Sequence, residues 1–71
     1  MEKKAVMFAV FLINSLAAYY NQTPSEVYRR LVDSRILDEY IIAGYDVLHT
    51  QGTKYLVDDV SSFLAERENK R

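Results

Sequence analysis

The segment from residue 5 to residue 16 most constrains how this chain can fold. It is apolar except for Asn14 and Ser15, and its large side chains cover almost the whole circumference of a helix. A helix that is apolar on all sides lies either at the centre of a fold or in an interface. A chain of 71 residues is too short to surround it completely. We therefore predict that helix one, residues 2–20, meets a partner chain; the candidate interface residues are Val6, Phe8, Val10, Phe11 and Ile13.

Small size makes the need for a partner stronger. A chain of this length buries only about 60% of the surface that its unfolded form exposes. The sequence has no cysteine and a single histidine, His49, which excludes disulfides, thiolate metal sites and multi-histidine sites within one chain. We therefore expect no cofactor and no metal. A homodimer or a partner protein is expected to complete the fold instead.

The amino-terminal segment has some features of a signal peptide, since Lys3 and Lys4 precede the apolar run. Glu2 is untypical of a basic leader, and removal would leave roughly fifty residues without a disulfide. As a membrane span the run is too short, because about sixteen residues rise about 24 Å against a hydrocarbon core of about 30 Å. We expect a buried helix in a soluble cytoplasmic protein that does not enter a membrane.

The composition predicts one all-α domain over residues 1–71, a small bundle of about four helices with a long apolar first helix. Hydrophobic residues make up 49% of the chain, and only two glycines and one proline interrupt it. Helix two opens with a capping box, in which Thr23 is the N-cap, Pro24 is the first helical residue and Glu26 is the third. It is expected to end near Ser34 or Arg35.

The third helix is predicted from Asp38 to about His49. Gly44 lies inside it, at a cost of about 1 kcal/mol relative to alanine, and indicates a close approach or a kink. Gly52 suits the left-handed position that ends a helix. For residues 55–57 an extended crossing and a helical turn both stay open.

The last helix is predicted to begin at Asp58 or Asp59, either of which can act as an N-cap. Its apolar stripe is Val60, Phe63 and Leu64. The charged tail from residue 66 onwards is expected to be frayed.

Residues 45–60 carry the most specific motif in the chain. The motif resembles that of a family of small bacterial proteins known as domain of unknown function 3791, with the pattern Tyr-Asp-x-Leu-His-Thr-x-Gly-x-x-Tyr-x-Val-x-Asp-Ile. Residues 25–27 and 36–41 also fit, so that the resemblance covers about residues 23–64, and helix one matches only in character. The candidate recognition residues in the motif are Tyr45, Asp46, His49, Thr50, Gly52, Tyr55 and Asp59.

The resemblance implies a role in protein interaction. It suggests genes in small bacterial operons, some beside a gene for an ADP-ribosyltransferase-like protein, an arrangement that resembles a toxin–antitoxin pair. An antitoxin-like neutralising partner is therefore what the family implies. The residues themselves indicate only a protein-interaction module that self-associates through helix one.

An enzyme based on His49 is the third hypothesis. His49 would be a general base oriented by Asp46 or Asp59, but no nucleophile elbow or phosphate loop accompanies it. A histidine at a helix carboxyl end, favoured there by the helix dipole, is the simpler interpretation. We accordingly expect no enzyme and predict that the turn containing His49, Thr50 and Gly52 packs against the start of the last helix.

A DNA-binding or operon-regulating domain is the alternative function. Arg29, Arg30 and Arg35 form the only basic cluster within the predicted helices and could lie beside DNA in a helix-turn-helix manner. The net charge of −1 and the neighbouring carboxylates make nucleic acid the less favoured partner.

Overall fold

The computed structural model describes residues 3–69 and confirms the all-α prediction. Helix α1 spans Lys3–Tyr20 and α2 spans Pro24–Asp33. A π-helical segment, Leu37–Ile42, and a short helix α3, Tyr45–Leu48, lead to the long helix α4, Thr53–Asn69. No strand occurs among these residues. The predicted start of helix one at Glu2 lies outside the described residues.

Helix α1 is the centre of the bundle and packs against α2, α4 and the π-helical segment. Its buried residues are related by steps of three or four positions and so form one stripe; they are Ala5, Ala9, Leu12, Ile13, Leu16 and Ala17. Burial of apolar area is the main force that joins this stripe to the other helices. The rest of the core comes from Val27, Leu31, Ile36, Ile41, Leu48, Leu56, Val57, Val60 and Leu64.

The turn between α1 and α2 follows the predicted capping box. The amide of Glu26 donates to Thr23 Oγ1 at 3.2 Å, and the amide of Thr23 donates to Glu26 Oε1 at 2.9 Å. The bond from the Thr23 amide lowers the pKa of Glu26. Asn21 and Arg35, with φ of 56° and 66°, end α1 and α2 in the left-handed region. The predicted end of helix two at Ser34 or Arg35 is confirmed.

The prediction of one continuous helix from Asp38 to His49 is wrong. The π-helical segment ends at Ile42, and Gly44 occupies the N-cap position of α3. A Cβ at Gly44 would lie 2.6 Å from the carbonyl oxygen of Tyr40 and 3.2 Å from Leu48 Cδ1. Both features that Gly44 indicated are therefore present: the helix is interrupted there, and the Tyr40 carbonyl approaches too closely for a side chain.

The predicted start of the last helix at Asp58 or Asp59 is also wrong. Helix α4 begins at Thr53, and residues 55–57 belong to its first turn. Gly52 is not in the left-handed region; its carbonyl accepts from the amide of Leu56 at 3.0 Å, as an N-cap residue does. Gly52 thus begins α4 and does not end the helix before it.

The predicted fraying from residue 66 is wrong as far as Asn69, where α4 ends. Arg67 Nη1 donates to the Ser34 carbonyl at 2.6 Å, and Glu68 accepts two hydrogen bonds from Arg30. These bonds hold the last turns of α4 against α2. Residues 70 and 71 lie outside the described residues.

Replacing Gly44 by alanine tests whether the kink depends on the missing side chain. We expect Gly44→Ala to lower the free energy of unfolding by about 1–3 kcal/mol, because the new methyl group overlaps a backbone carbonyl. In the matched control Gly52→Ala, a Cβ meets nothing within 4 Å. Loss of the N-cap glycine destabilises the folded chain, whereas alanine lowers the entropy of the unfolded chain and so stabilises the fold. Because the two effects oppose one another, we expect the free energy of unfolding to change by less than about 0.5 kcal/mol. Urea unfolding followed by circular dichroism at one fixed chain concentration measures both; equal effects would contradict this account.

Candidate interaction surface

The side of α1 opposite the core carries large apolar side chains in contact with solvent. Met7, Val10 and Phe11 are 62%, 52% and 48% exposed. At 100° per residue they project from one face, away from Leu12 and Leu16, whose side chains are fully buried. We call this surface the exposed α1 face; its members are Lys3, Met7, Val10, Phe11, Asn14 and Ala18, all exposed.

The five predicted interface residues of helix one divide between this surface and the interior. Val10 and Phe11 belong to the exposed α1 face, and Val6, 38% exposed, lies at its edge. Phe8 is half-buried and meets the ring of Tyr45 edge-on, with 5.6 Å between the ring centres. Ile13, by contrast, is buried in the core of the single chain.

The sequence analysis did not select Met7, Asn14 or Ala18. A helical wheel centred on Leu12 and Leu16 places these three on the far side. The helical spacing therefore indicates these three residues once the core side is known. The sequence alone does not identify the core side, because the middle turns are apolar on all sides.

Two depressions flank the exposed α1 face. On one side a groove of about 310 Å³ separates α1 from α2 and the π-helical segment; its lining is Val6, Ala9, Val10, Ile13, Tyr28, Leu37, Asp38 and Ile42. On the other side a pocket of about 430 Å³ is lined by Lys4, Met7, Phe8, Phe11, Tyr45, His49, Gln51 and Leu56. The apolar surface thus continues from α1 onto α2 on one side and onto the motif on the other.

Tyr45 and His49 form the outer wall of this pocket. Their rings stack with 4.5 Å between centres and 18° between planes, and His49 Nδ1 donates to the Tyr45 carbonyl at 2.7 Å. Thr50 Oγ1 donates to the Val47 carbonyl at 2.8 Å. His49 and Thr50 are both exposed. The side chains of His49 and Thr50 therefore bond back to α3, whereas the Gly52 carbonyl accepts from Leu56 at the start of α4.

The carboxylates considered as partners of His49 lie elsewhere. Asp46 is exposed on α3, and Asp59 on α4 accepts a hydrogen bond from the Tyr40 hydroxyl. His49 is oriented by a backbone carbonyl instead. The described residues therefore do not assemble the carboxylate–histidine pair on which the enzyme hypothesis depends.

The hydrogen bond between Tyr40 and Asp59 joins the π-helical segment to α4. The Tyr40 ring also meets the Phe63 ring edge-on, with 5.0 Å between centres. The bond to Asp59, followed by burial, raises the pKa of Tyr40 to about 12. The motif thus has two parts: Asp59 joins two elements of the fold, whereas His49 and Tyr55 are exposed and Tyr45 is half-buried beside His49.

The three arginines considered for DNA have different surroundings. Arg30 donates to both carboxylate oxygens of Glu68 at 2.9 and 2.8 Å, and its guanidinium lies 4.3 Å from the centre of the Tyr20 ring. Arg35 pairs with Glu39 at 3.7 Å. Arg29 is exposed on α2. Two of the three positive charges therefore face carboxylates of the same chain.

A model of a protein family, described as "Protein of unknown function (DUF3791)", matches residues 7–67. The chain belongs to the DUF3791 family. No curated protein and no solved structure matches it. The DUF3791 match begins at Met7 and so extends the resemblance from its expected start near residue 23 across most of α1. The family pattern thus includes the motif and the part of the exposed α1 face from Met7 onwards.

Two kinds of site are absent from residues 3–69. None of these helices has both the length and the apolar character that crossing a membrane requires. The same residues hold no group of three or more His, Cys, Asp or Glu side chains placed to bind a metal ion.

The raised pKa of Tyr40 predicts a specific loss of stability in alkali. A group whose pKa is raised by folding from 10.0 to about 12 contributes stability that is complete below pH 10 and disappears as the pH rises to about 12. We expect Tyr40→Phe to cost about 1 kcal/mol at pH 8, and the difference from the parent to vanish by pH 12. Tyr28→Phe, at an exposed tyrosine of α2, is the control. Thermal unfolding at a series of pH values measures this; a constant difference from pH 8 to 12 would contradict it.

Proposed function

We propose that this DUF3791 protein is a cytoplasmic protein-interaction module that self-associates through the exposed α1 face. The observation that carries the proposal is the exposure of Met7, Val10 and Phe11 by about half, side by side on one helix. Complete burial of such a side chain contributes about 1.5–3 kcal/mol. Each therefore retains about 1 kcal/mol that a second chain can recover.

The proposal uses a surface that the fold itself does not need. The core is closed by the opposite stripe of α1, with Leu12 and Leu16 completely buried. The apolar area then continues into the groove beside Tyr28 and the pocket beside Tyr45. Continuous exposed apolar area of this kind is typical of protein-binding surfaces.

We further propose that the natural role is antitoxin-like, the neutralisation of a toxin encoded by a neighbouring gene in bacteria. The support is the family resemblance and its operon arrangement. If a second copy covers the exposed α1 face, the toxin must bind elsewhere. The exposed part of the motif, with Tyr45, His49 and Tyr55, is then the proposed surface, because aromatic side chains are enriched in the centres of interfaces.

Light scattering across chain concentrations tests self-association directly. We expect a dimer at tens of micromolar, and a monomer for Val10→Glu, because the new charge would be buried in the apolar contact. Val47→Glu is the matched control, since Val47 is 68% exposed on α3 and lies off the exposed α1 face. It should remain dimeric. A parent chain that is monomeric throughout, or a Val10→Glu variant that still dimerises, would exclude self-association through this surface.

Co-expression with the product of the neighbouring gene tests the antitoxin-like role. We expect that product alone to stop bacterial growth, and this chain to restore growth and to co-purify with it. Tyr45→Ala should weaken both effects, whereas Tyr19→Ala, at a tyrosine that is 58% exposed and lies outside both the motif and the exposed α1 face, should leave them unchanged. Failure of the parent chain to restore growth would contradict the antitoxin-like role without affecting the test of self-association.

A further inference from the structure

We infer that two copies of this chain pair their α1 helices antiparallel, with the two-fold axis between Val10 and Phe11. The inference rests on the proposed self-association and specifies its geometry. In such a pair Val10 lies opposite Phe11 of the partner subunit, Met7 opposite Asn14 of the partner subunit, and Lys3 opposite Ala18 of the partner subunit.

The spacing of the exposed α1 face is the first argument. Lys3, Met7 and Val10 lie as far before the midpoint of the face as Ala18, Asn14 and Phe11 lie after it. A two-fold interface brings the same surface of both chains together, so that residue i meets residue j and j meets i. A surface with mirrored spacing along a helix satisfies this condition when the helices run in opposite directions.

The steps along the face also suit helix pairing. Lys3, Met7, Val10 and Asn14 follow one another at intervals of four, three and four residues. Met7, Phe11, Asn14 and Ala18 repeat the same intervals. Alternating steps of three and four residues produce the seam along which helices pack at about 20°. Both strings run along the exposed side of a helix of 18 residues, about 27 Å long.

The charges at the ends of α1 favour an antiparallel pair of helices over a parallel one. The amino-terminal end of a helix carries about half a positive charge, yet the first turn of α1 contains Lys3 and Lys4 and no acidic residue. The last turn contains no basic residue to offset the negative end. An antiparallel pair places the lysines of each chain beside the negative helix end of the other. A parallel pair would bring four lysines and two positive helix ends together.

The side chains at each position fit this arrangement. The centre of the seam, where water is most completely excluded, receives Val10 and the aromatic ring of Phe11. Ala18 is small, so that the methylene stem of Lys3 from the other chain can lie across it while the ammonium group reaches the helix end. Asn14, the one polar uncharged member of the face, is away from the axis and so lies toward an end of the seam.

Disulfide pairing tests the direction, since the chain has no cysteine of its own. A Met7→Cys chain is mixed with an Asn14→Cys chain, oxidised with glutathione disulfide and analysed by mass spectrometry. We expect the mixed disulfide to exceed each homodisulfide at least about fivefold, because cysteines more than about 7 Å apart at Cα cannot be joined without movement of the backbone. In the antiparallel pair the two Met7 positions lie on opposite sides of the axis, well beyond that distance.

The control is Ser62→Cys, at an exposed position of α4 outside the proposed contact. Its rate of disulfide formation gives the rate that random collision of two chains produces. If homodisulfides of Met7→Cys and of Asn14→Cys dominate, the helices are parallel; the inference then fails and the proposed self-association stands. If every pairing forms as slowly as in Ser62→Cys, both fail.

Reversing the charge of Lys3 gives an independent test, because it is expected to weaken an antiparallel dimer and to strengthen a parallel one. Lys3→Glu places a negative charge at the positive end of its own helix, and so raises the stability of the monomer. In an antiparallel pair the same charge meets the negative end of the other helix, so that we expect the dimer to dissociate about tenfold more readily. Lys4→Glu, one position off the face, is the control and should have a smaller effect. A tighter dimer in Lys3→Glu, as a parallel pair would give, overturns the inference; analytical ultracentrifugation measures both variants.

Discussion

One packing constraint determines the rest of this structure: the chain is long enough to cover only one side of its apolar first helix. Leu12 and Leu16 are completely buried by the other helices, whereas Met7 and Phe11 on the opposite side remain about half exposed. Helices α2 and α4 and the π-helical segment pack against α1, and α3 packs against the π-helical segment. The exposed side is consequently a property of the fold and not a local irregularity, and a second chain that covered it would bury additional apolar area.

The family motif contributes to the fold and to the surface in different ways. Asp59 accepts a hydrogen bond from Tyr40 and so connects the π-helical segment to α4. Tyr45 and His49 stack on each other at the edge of the exposed α1 face. A motif that appears continuous in sequence is thus divided between a structural contact and a solvent-facing aromatic pair. Only the second part is available to a partner.

Local signals in the sequence predicted the local features of this fold, and long-range contacts determined what they missed. The capping box at Thr23 and the kink at Gly44 depend on neighbours within four residues, and both were predictable. The helical tail to Asn69 was not, because Glu68 is held by Arg30, 38 positions earlier in the chain. The apolar composition of α1 likewise predicted an interface without separating Ile13, which lies in the core, from the exposed residues, because only the packed structure shows which side of that helix is inside.

Hydroxyl-radical labelling at low and high chain concentration tests the central claim most directly, that the exposed α1 face is buried by a second chain. Met7 and Phe11 report on the face, and Tyr55, 56% exposed on α4, is a reference within the same molecule. We predict that labelling of Met7 and Phe11 relative to Tyr55 falls several-fold between submicromolar and high micromolar concentration, since a dimer excludes solvent from the first two side chains alone. Ratios that stay constant over this range would contradict the account.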